Sequence, residues 1–301
     1  MKLSITTDYC SSNGLGRDYL RLIAEAGFTH VHWCQNFADD YFYSDSEIAA
    51  VKGWLKEYGL RLLDVHASHG IQKFCWSEEE YVRKAGVDLV ANRIKMLREL
   101  DGEGCVIIHP HMRLREGPDD TARADWNRRA DRLFPQMCRS IEELEPMLRR
   151  ENVRLAFENA GGDTYETHDA LMARFSPDIL GITYDCGHGN HCNGVNNLKQ
   201  LDDIAARKDR LYALHLNDNN EYADQHQPPF YGTVDWERML KIVRSAPHVA
   251  QKPLQFEITM RATPFVHTND PANPPERAQR AFLADAYARC RRVAEMYEAT
   301  K

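Results

Sequence analysis

The chain has 301 residues, 43% of them hydrophobic and 28% charged, with a formal net charge of -7. That balance belongs to a globular protein able to bury a sizeable core, and it excludes disordered and fibrous classes. No stretch approaches the ~20 apolar residues that span a bilayer, and the negative charge argues against a nucleic acid partner, whose phosphates call for a basic footprint.

The N-terminus enters a strand-like run at residues 2–7 at once, without the apolar core of a signal peptide. The eight cysteines are scattered, with no C-x-x-C pair. Both features predict a cytoplasmic protein with reduced thiols. The first strand is followed by a helix at 17–26, stopped by Gly27. A strand at 30–34 leads to a helix at 45–58, stopped by Gly59. A strand at 61–67 precedes a loop carrying Phe74 and Trp76, then a long helix at 78–100. Ser77 is the expected N-cap of that helix, with Glu80 completing a capping box. A strand at 105–110 gives way to a polar loop and a helix at 121–150. The second half repeats the scheme: strand 154–159 with helix 167–174, strand 181–186 with helix 197–207, strand 211–218 with helix 234–245, and strand 254–260 with helix 275–300.

Eight β-then-α units, with no linker or composition break between them, imply an α/β protein with a parallel sheet closed into a single-domain (β/α)8 TIM barrel over residues 1–301. A doubly wound open sheet would want a glycine-rich nucleotide fingerprint after its first strand. Residues 11–16 (SSNGLG) are too irregular to be one.

The apolar runs end in ionisable residues. They read LLDVHASHG (His66), CVIIHPH (His109), RLAFEN (Glu158), GITYDCGH (Asp185 and His188), YALHLND (His215) and LQFEIT (Glu257); a loop DQH (Asp224 and His226) follows the run at His215. An unpartnered polar group at a buried strand end costs about 1–3 kcal/mol. In a barrel these ends meet at the C-terminal mouth, where active sites are built. Glu158, Asp185, His215 and Glu257 come one each from the last four units. Three carboxylates and one imidazole suit a divalent ion such as Mn²⁺, Mg²⁺, Co²⁺ or Zn²⁺. His66, His109, His188, Asp224 and His226 form a second tier, either further ligands or hydrogen-bonding partners of a substrate. Asp224 and His226, two apart in an extended loop, should share one face. Trp33, Phe74, Trp76, Tyr231 and Trp236 are candidates to wall a carbohydrate pocket, and Arg261 to hold a phosphate or carboxylate. Cys186, between Asp185 and Gly187, lies in the same region, as do His69, His111 and His191. His168, His248 and His267 read as surface or helix-cap positions.

The segments HLNDNNEYADQHQPPFYGTVDW (215–236), RLAFENAGG and YDCGHGN carry a resemblance that spans most of the chain. It resembles the sugar phosphate isomerase/epimerase group of xylose-isomerase-like barrels, which shares its fold with endonuclease IV. The resemblance implies that Glu158, Asp185, His215 and Glu257 are metal ligands, that the two glutamates also move protons, and that His188 contacts the substrate. It implies a metal-dependent isomerase or epimerase of a small sugar, sugar phosphate or polyol-like ketose, working through an enediolate. Enzymes of this kind often pair through their helices, so a homo-oligomer is expected. All nine candidate ligands also match the endonuclease IV pattern, which would place a zinc at His66, His109 and Glu158, another at Glu158, Asp185, His215 and Glu257, and a third at His188, Asp224 and His226. The loop from 215 to 224 is shorter than in that repair enzyme, and no basic, aromatic DNA-wedge segment is visible. A phosphodiester hydrolase with two or three zincs, and a non-catalytic metal- and sugar-binding barrel, are the alternatives.

Overall fold

The computed structural model describes residues 1–10, 15–116, 120–192, 200–266 and 274–300. Eight strands, β1 (Leu3–Thr6), β2 (His30–Trp33), β3 (Arg61–His66), β4 (Val106–Ile108), β5 (Leu155–Glu158), β6 (Leu180–Asp185), β7 (Leu211–His215) and β8 (Leu254–Phe256), run parallel in the order β7-β6-β5-β4-β3-β2-β1-β8. The ring closes between β7 and β8 by a narrower seam. Leu216 bridges to Phe256, its N–H donates to the Gln255 carbonyl (2.9 Å), and the Glu257 N–H donates to the Leu216 carbonyl (3.1 Å). The expected (β/α)8 barrel is therefore what the sequence folds into.

The strands are short and buried on both faces, as parallel strands covered by helices must be. Leu3, Ile5, Val31, Trp33, Val65, Leu155, Phe157, Ile182 and Phe256 join the main apolar core. Alternation along the strands sends Ser4, Thr6, His30, His32, Asp64 and His66 to the other face. There Ser4 pairs in register with His30, Thr6 with His32, and His32 with Asp64. The barrel interior is thus polar along β1–β3, which costs folding energy, while Ile107, Ala156 and Ala213 of β4, β5 and β7 belong to a small apolar cluster apart from the main core.

The helices are α1 (Arg17–Ala26), α2 (Asp45–Glu57), α3 (Glu80–Glu99), α4 (Thr121–Glu151), α5 (Glu166–Arg174), α6 (Cys186–Asn190), α7 (Leu201–Ala206), α8 (Trp236–Ser245) and α9 (Glu276–Ala299). No helix among the described residues is long and apolar enough to cross a membrane.

Three expectations need correction. The helix after β3 begins at Glu80 with Glu79 as an uncapped N-cap, while the Ser77 hydroxyl accepts from the Glu79 N–H (3.1 Å). Ser77 and Glu80 therefore form no capping box. Glu80 instead binds Arg83 (2.8 Å), a buried guanidinium that also reaches Ser140 and Glu143 on α4. The expected helix at 197–207 starts at Leu201; residues 197–199 lie outside those described, and a short helix, α6, occupies part of what read as a glycine-rich loop. His168 is buried rather than a surface residue, its Nδ1 lying 3.2 Å from the Asp163 carboxylate. His267 is outside the described residues.

Gly86 lets α3 pack against the loop that follows β3. A Cβ there would stand 2.3 Å from the Cys75 backbone nitrogen, whereas one on Gly53 of α2 would meet nothing within 4 Å. Gly86→Ala should destabilise the fold by about 1–3 kcal/mol through overpacking. Gly53→Ala should stabilise it by about 0.5–1 kcal/mol through helix propensity. Urea denaturation of the two variants measures this opposition, and equal effects would contradict the packing assignment.

Candidate metal centre at the barrel mouth

The topology delivers the candidate ligands to one level. His66, Glu158, Asp185 and His215 are the last residues of β3, β5, β6 and β7, while His109 and Glu257 follow β4 and β8 by one residue. Glu158, Asp185, His215 and Glu257 present ligand atoms that all lie within 4.8 Å of one another, and all four residues are buried. His215 Nδ1 stands between the two glutamates, 2.9 Å from Glu158 Oε1 and 2.8 Å from Glu257 Oε2. One buried imidazole nitrogen facing two buried carboxylates is the arrangement a divalent cation would organise.

The second tier packs around this core. His66 Nε2 and His109 Nε2 approach Glu158 Oε2 at 3.8 and 3.6 Å, and the three residues form a possible ligand group of their own. His188 lies 3.6 Å from Glu158 Oε1 and 3.3 Å from Asp224 Oδ2. His226 Nε2 faces Asp224 Oδ1 at 3.2 Å, so the D-x-H pair does share a face, although His226 has a left-handed φ of 45° and not the extended backbone expected. Asp185, His188 and His226 make a further possible ligand group. Glu158 Oε2 is buried without any hydrogen-bond partner. An orphaned carboxylate oxygen beside two imidazoles fits a cation at this place.

The electrostatics point the same way. Burial disfavours the charge on His215, but Glu158 and Glu257 outweigh it and hold the imidazole well above its ordinary range. Glu257 is likewise opposed by burial, yet His215 holds it well below the usual carboxylate range. Burial pushes Glu158 and Asp185 up. It pushes His66 down to about 4 and His109 well below its usual value, the latter with help from His66. His226, with burial opposing, is raised to about 10 by its bond to Asp224.

The supporting residues were harder to read from sequence. Asn159, directly after Glu158, accepts from the Asp185 N–H through Oδ1 (2.8 Å) and donates through Nδ2 to the Asp185 carbonyl (3.0 Å). Its own carbonyl faces His188 Nδ1 at 2.8 Å. Asn217 Nδ2 donates to Asp185 Oδ2 (2.7 Å). Such bonds fix the aim of a ligand carboxylate, and only adjacency to Glu158 and His215 hinted at them. Asp8 at the end of β1 was missed. It is buried, raised by that burial, and lines with Glu257, His226, Asp224, Arg261 and Phe37 a cleft of about 230 Å³. Asp218 latches the long loop after β7, accepting from the Phe230 N–H (2.8 Å), the Val234 N–H (3.0 Å) and Trp236 Nε1 (3.1 Å). Gly232 is required because a Cβ would lie 2.1 Å from the Asn219 carbonyl oxygen.

Trp33 needs correction. It was expected against the substrate, but strand alternation turns it away from His32 into the core, fully buried, with Nε1 donating to Tyr43 (3.0 Å). Trp76 and Trp236 are also buried, whereas Phe74 lines a pocket. Cys186 is buried against the Asn217 backbone (3.1 Å). Arg261 lines the cleft beside Glu257.

The model of the xylose isomerase-like TIM-barrel family matches residues 20–286. The uncharacterized protein y4fM of Sinorhizobium fredii is 31% identical over 266 residues, covering 81% of each chain. Among solved structures, the D-allulose 3-epimerase of Methylomonas sp. in complex with D-allulose superposes with a TM-score of 0.66 at 16% identity, covering 100% of this chain and 97% of the other. The 3-keto-D-glucoside 4-epimerase YcjR of E. coli does so with a TM-score of 0.63 at 17% identity, over 95% of this chain and 100% of the other. A D-psicose 3-epimerase reaches 0.69 at 16% identity, over 97% and 99%. At these identities the structural matches establish the fold.

A cation that takes His215 Nδ1 must displace the proton the two glutamates hold there. Proton and metal therefore compete, and affinity should rise by up to about tenfold per pH unit while His215 remains protonated in the free protein. Calorimetric titration of Mn²⁺ in buffers of different ionisation enthalpy would report the released proton. Binding that is independent of pH and buffer would remove His215 from the ligand set.

Proposed function

Because the chain belongs to the xylose isomerase-like TIM-barrel family, we propose that it is a metal-dependent epimerase or isomerase of a small keto sugar, sugar phosphate or polyol-like ketose, with residues 1–301 acting as one catalytic barrel. The observation that carries the reading is the convergence of Glu158, Asp185, His215 and Glu257 within 4.8 Å at the barrel mouth. These four would hold one divalent ion, of the Mn²⁺, Mg²⁺, Co²⁺ or Zn²⁺ class. When bound, the ion would supply Lewis-acid polarisation of a carbonyl and its neighbouring hydroxyl, which acidifies the C–H between them.

The residues divide the remaining work. Asp185, clamped by Asn159 and Asn217, fixes geometry without a proton role. Glu158 and Glu257 come from β5 and from the segment after β8, and meet across His215. A carbon held between them has a carboxylate on each side. One removes its proton to give an enediolate and the other returns one. His188 lies within reach of both Glu158 and the opening, and is suited to orient a substrate hydroxyl. Arg261 and Asp8 offer charge and hydrogen bonds to the distal part of a substrate in the cleft. The epimerase names of the structural neighbours agree with this reading.

One observation favours a second reading. The groups His66–His109–Glu158 and Asp185–His188–His226 are present beside the main four, as a phosphodiester hydrolase with two or three zincs would need. Elemental analysis separates the two. About one metal per chain supports the epimerase, while two or three zincs with phosphodiesterase activity support the hydrolase.

The proposed reaction exchanges a carbon-bound hydrogen with solvent. Proton NMR in deuterated water should show metal-dependent loss of the signal next to the carbonyl for at least one ketose from a panel including D-fructose, D-tagatose and D-allulose. Glu158→Gln and Glu257→Gln should each slow turnover by about 10²–10⁴-fold. Full turnover in both variants would end the mechanism. Chelation should also lower thermal stability, since an ion present at 100 times its Kd adds about 2.7 kcal/mol.

A further inference from the structure

Two recesses among the described residues open beside the candidate metal centre, and their walls meet where the His69 N–H donates to the Phe37 carbonyl (2.7 Å). The cleft of about 230 Å³ belongs to the β8–β1 side, where Asp8, Glu257 and Arg261 line it. A pocket of about 460 Å³ opens on the β3–β4 side, lined among others by Ile71, Phe74, His109, Met112, Trp126 and Ala160. His109 joins this pocket to the centre, its Nε2 standing 3.6 Å from Glu158. Ala160 does so from the other wall, two residues after Glu158. A substrate carbon seated between Glu158 and Glu257 therefore has room to project in two directions. The smaller cleft falls below the ~300–1,000 Å³ of pockets that take drug-sized ligands, and suits a single sugar ring.

The larger pocket has the chemistry of a platform for a flat apolar group. Trp126 on α4 is locked in place. Its Nε1 donates to the Met112 carbonyl (2.8 Å), and His111 stacks on the ring at 4.0 Å between centroids. Trp126 nonetheless keeps 38% of its surface exposed, and Ile71 keeps 71%, two exposed apolar side chains on one pocket. Among the described residues Arg129 is the sole Lys or Arg lining it, a poor match to a phosphate, which is held by several converging donors. An aromatic or otherwise flat group would cover this surface and gain from aromatic contact with Trp126 and Phe74.

We propose that this pocket is an aglycone subsite, and that the substrate class is a glycoside whose keto-sugar ring occupies the centre and whose flat, apolar aglycone rests on Trp126. The proposal rests on the sugar reading for the identity of the ring, but the subsite is testable without turnover. Calorimetric titration of the full chain with added Mg²⁺ should show phenyl β-D-glucopyranoside binding at least about tenfold more tightly than methyl β-D-glucopyranoside. Trp126→Ala should shrink that preference to within about threefold. Ile71→Glu, at an exposed position where folding is safe, should do the same by placing a charge beside the aglycone. Neither should alter Mn²⁺ affinity, because neither belongs to a possible ligand group. Absence of a phenyl preference in the unmodified protein, whether both glucosides bind equally or neither binds, overturns the subsite, as does a preference that survives both variants. Solvent exchange on a free ketose without any phenyl preference refutes the subsite and leaves the reaction standing. A phenyl preference lost in the variants, with no exchange on any keto sugar, keeps the subsite and refutes the reaction.

Discussion

At the centre of this barrel one imidazole nitrogen, His215 Nδ1, is gripped by two carboxylates that belong to strands far apart in the chain. Buried charges of this kind do not contribute stability by default. Their desolvation rivals their mutual attraction, and removing a partner leaves an uncompensated charge. The chain nevertheless surrounds that contact with more of the same: Asp185 buried beside it, Glu158 Oε2 without a donor, and His66 and His109 held neutral by burial. Four residues of this cluster present ligand atoms within 4.8 Å of one another, an arrangement that could hold a divalent ion.

The scaffold absorbs this cost by separating two faces of each strand. Outward residues such as Val31, Phe157 and Phe256 join an apolar layer against the helices, while the inner face is given over to Ser4, His30, His32 and Asp64. Close approaches secure the loops that frame the mouth. Asp218 gathers three backbone and ring donors to pin the loop after β7, and Gly232 yields the space that makes the latch fit. Rigid strand ends and latched loops are what keep several ligand atoms within a few ångströms without help from any single local motif.

Much of this was legible in the chain because both patterns involved are local. The period of apolar runs and the glycine stops located eight β–α units, and barrel architecture then dictates that all strand ends face one rim. Glu158, Asp185 and His215 could be picked out because each ends its run. Where the reading failed, the deciding contact was not local. Ser77 had the right spacing for a capping box, but Glu80 is drawn off by Arg83, which α4 holds in place. Trp33 looked like a pocket wall because it neighbours the strand end, yet parity of the strand turns it into the core. Asp8 went unnoticed, since only closure of β1 against β8 brings it beside Glu257.

The sequence by itself determined the barrel, the rim and the four acidic and imidazole residues that gather there, because strand period and chain order constrain them without reference to any partner. Tertiary structure alone decided how those groups meet. The 2.8 and 2.9 Å contacts at His215, the orphaned oxygen of Glu158, and the placing of a polar cleft and an apolar pocket beside the centre depend on distances between segments as far apart in the chain as Asp8 and Arg261. No local pattern encodes such distances; they arise when closing the ring fixes the stagger of every strand against its neighbour.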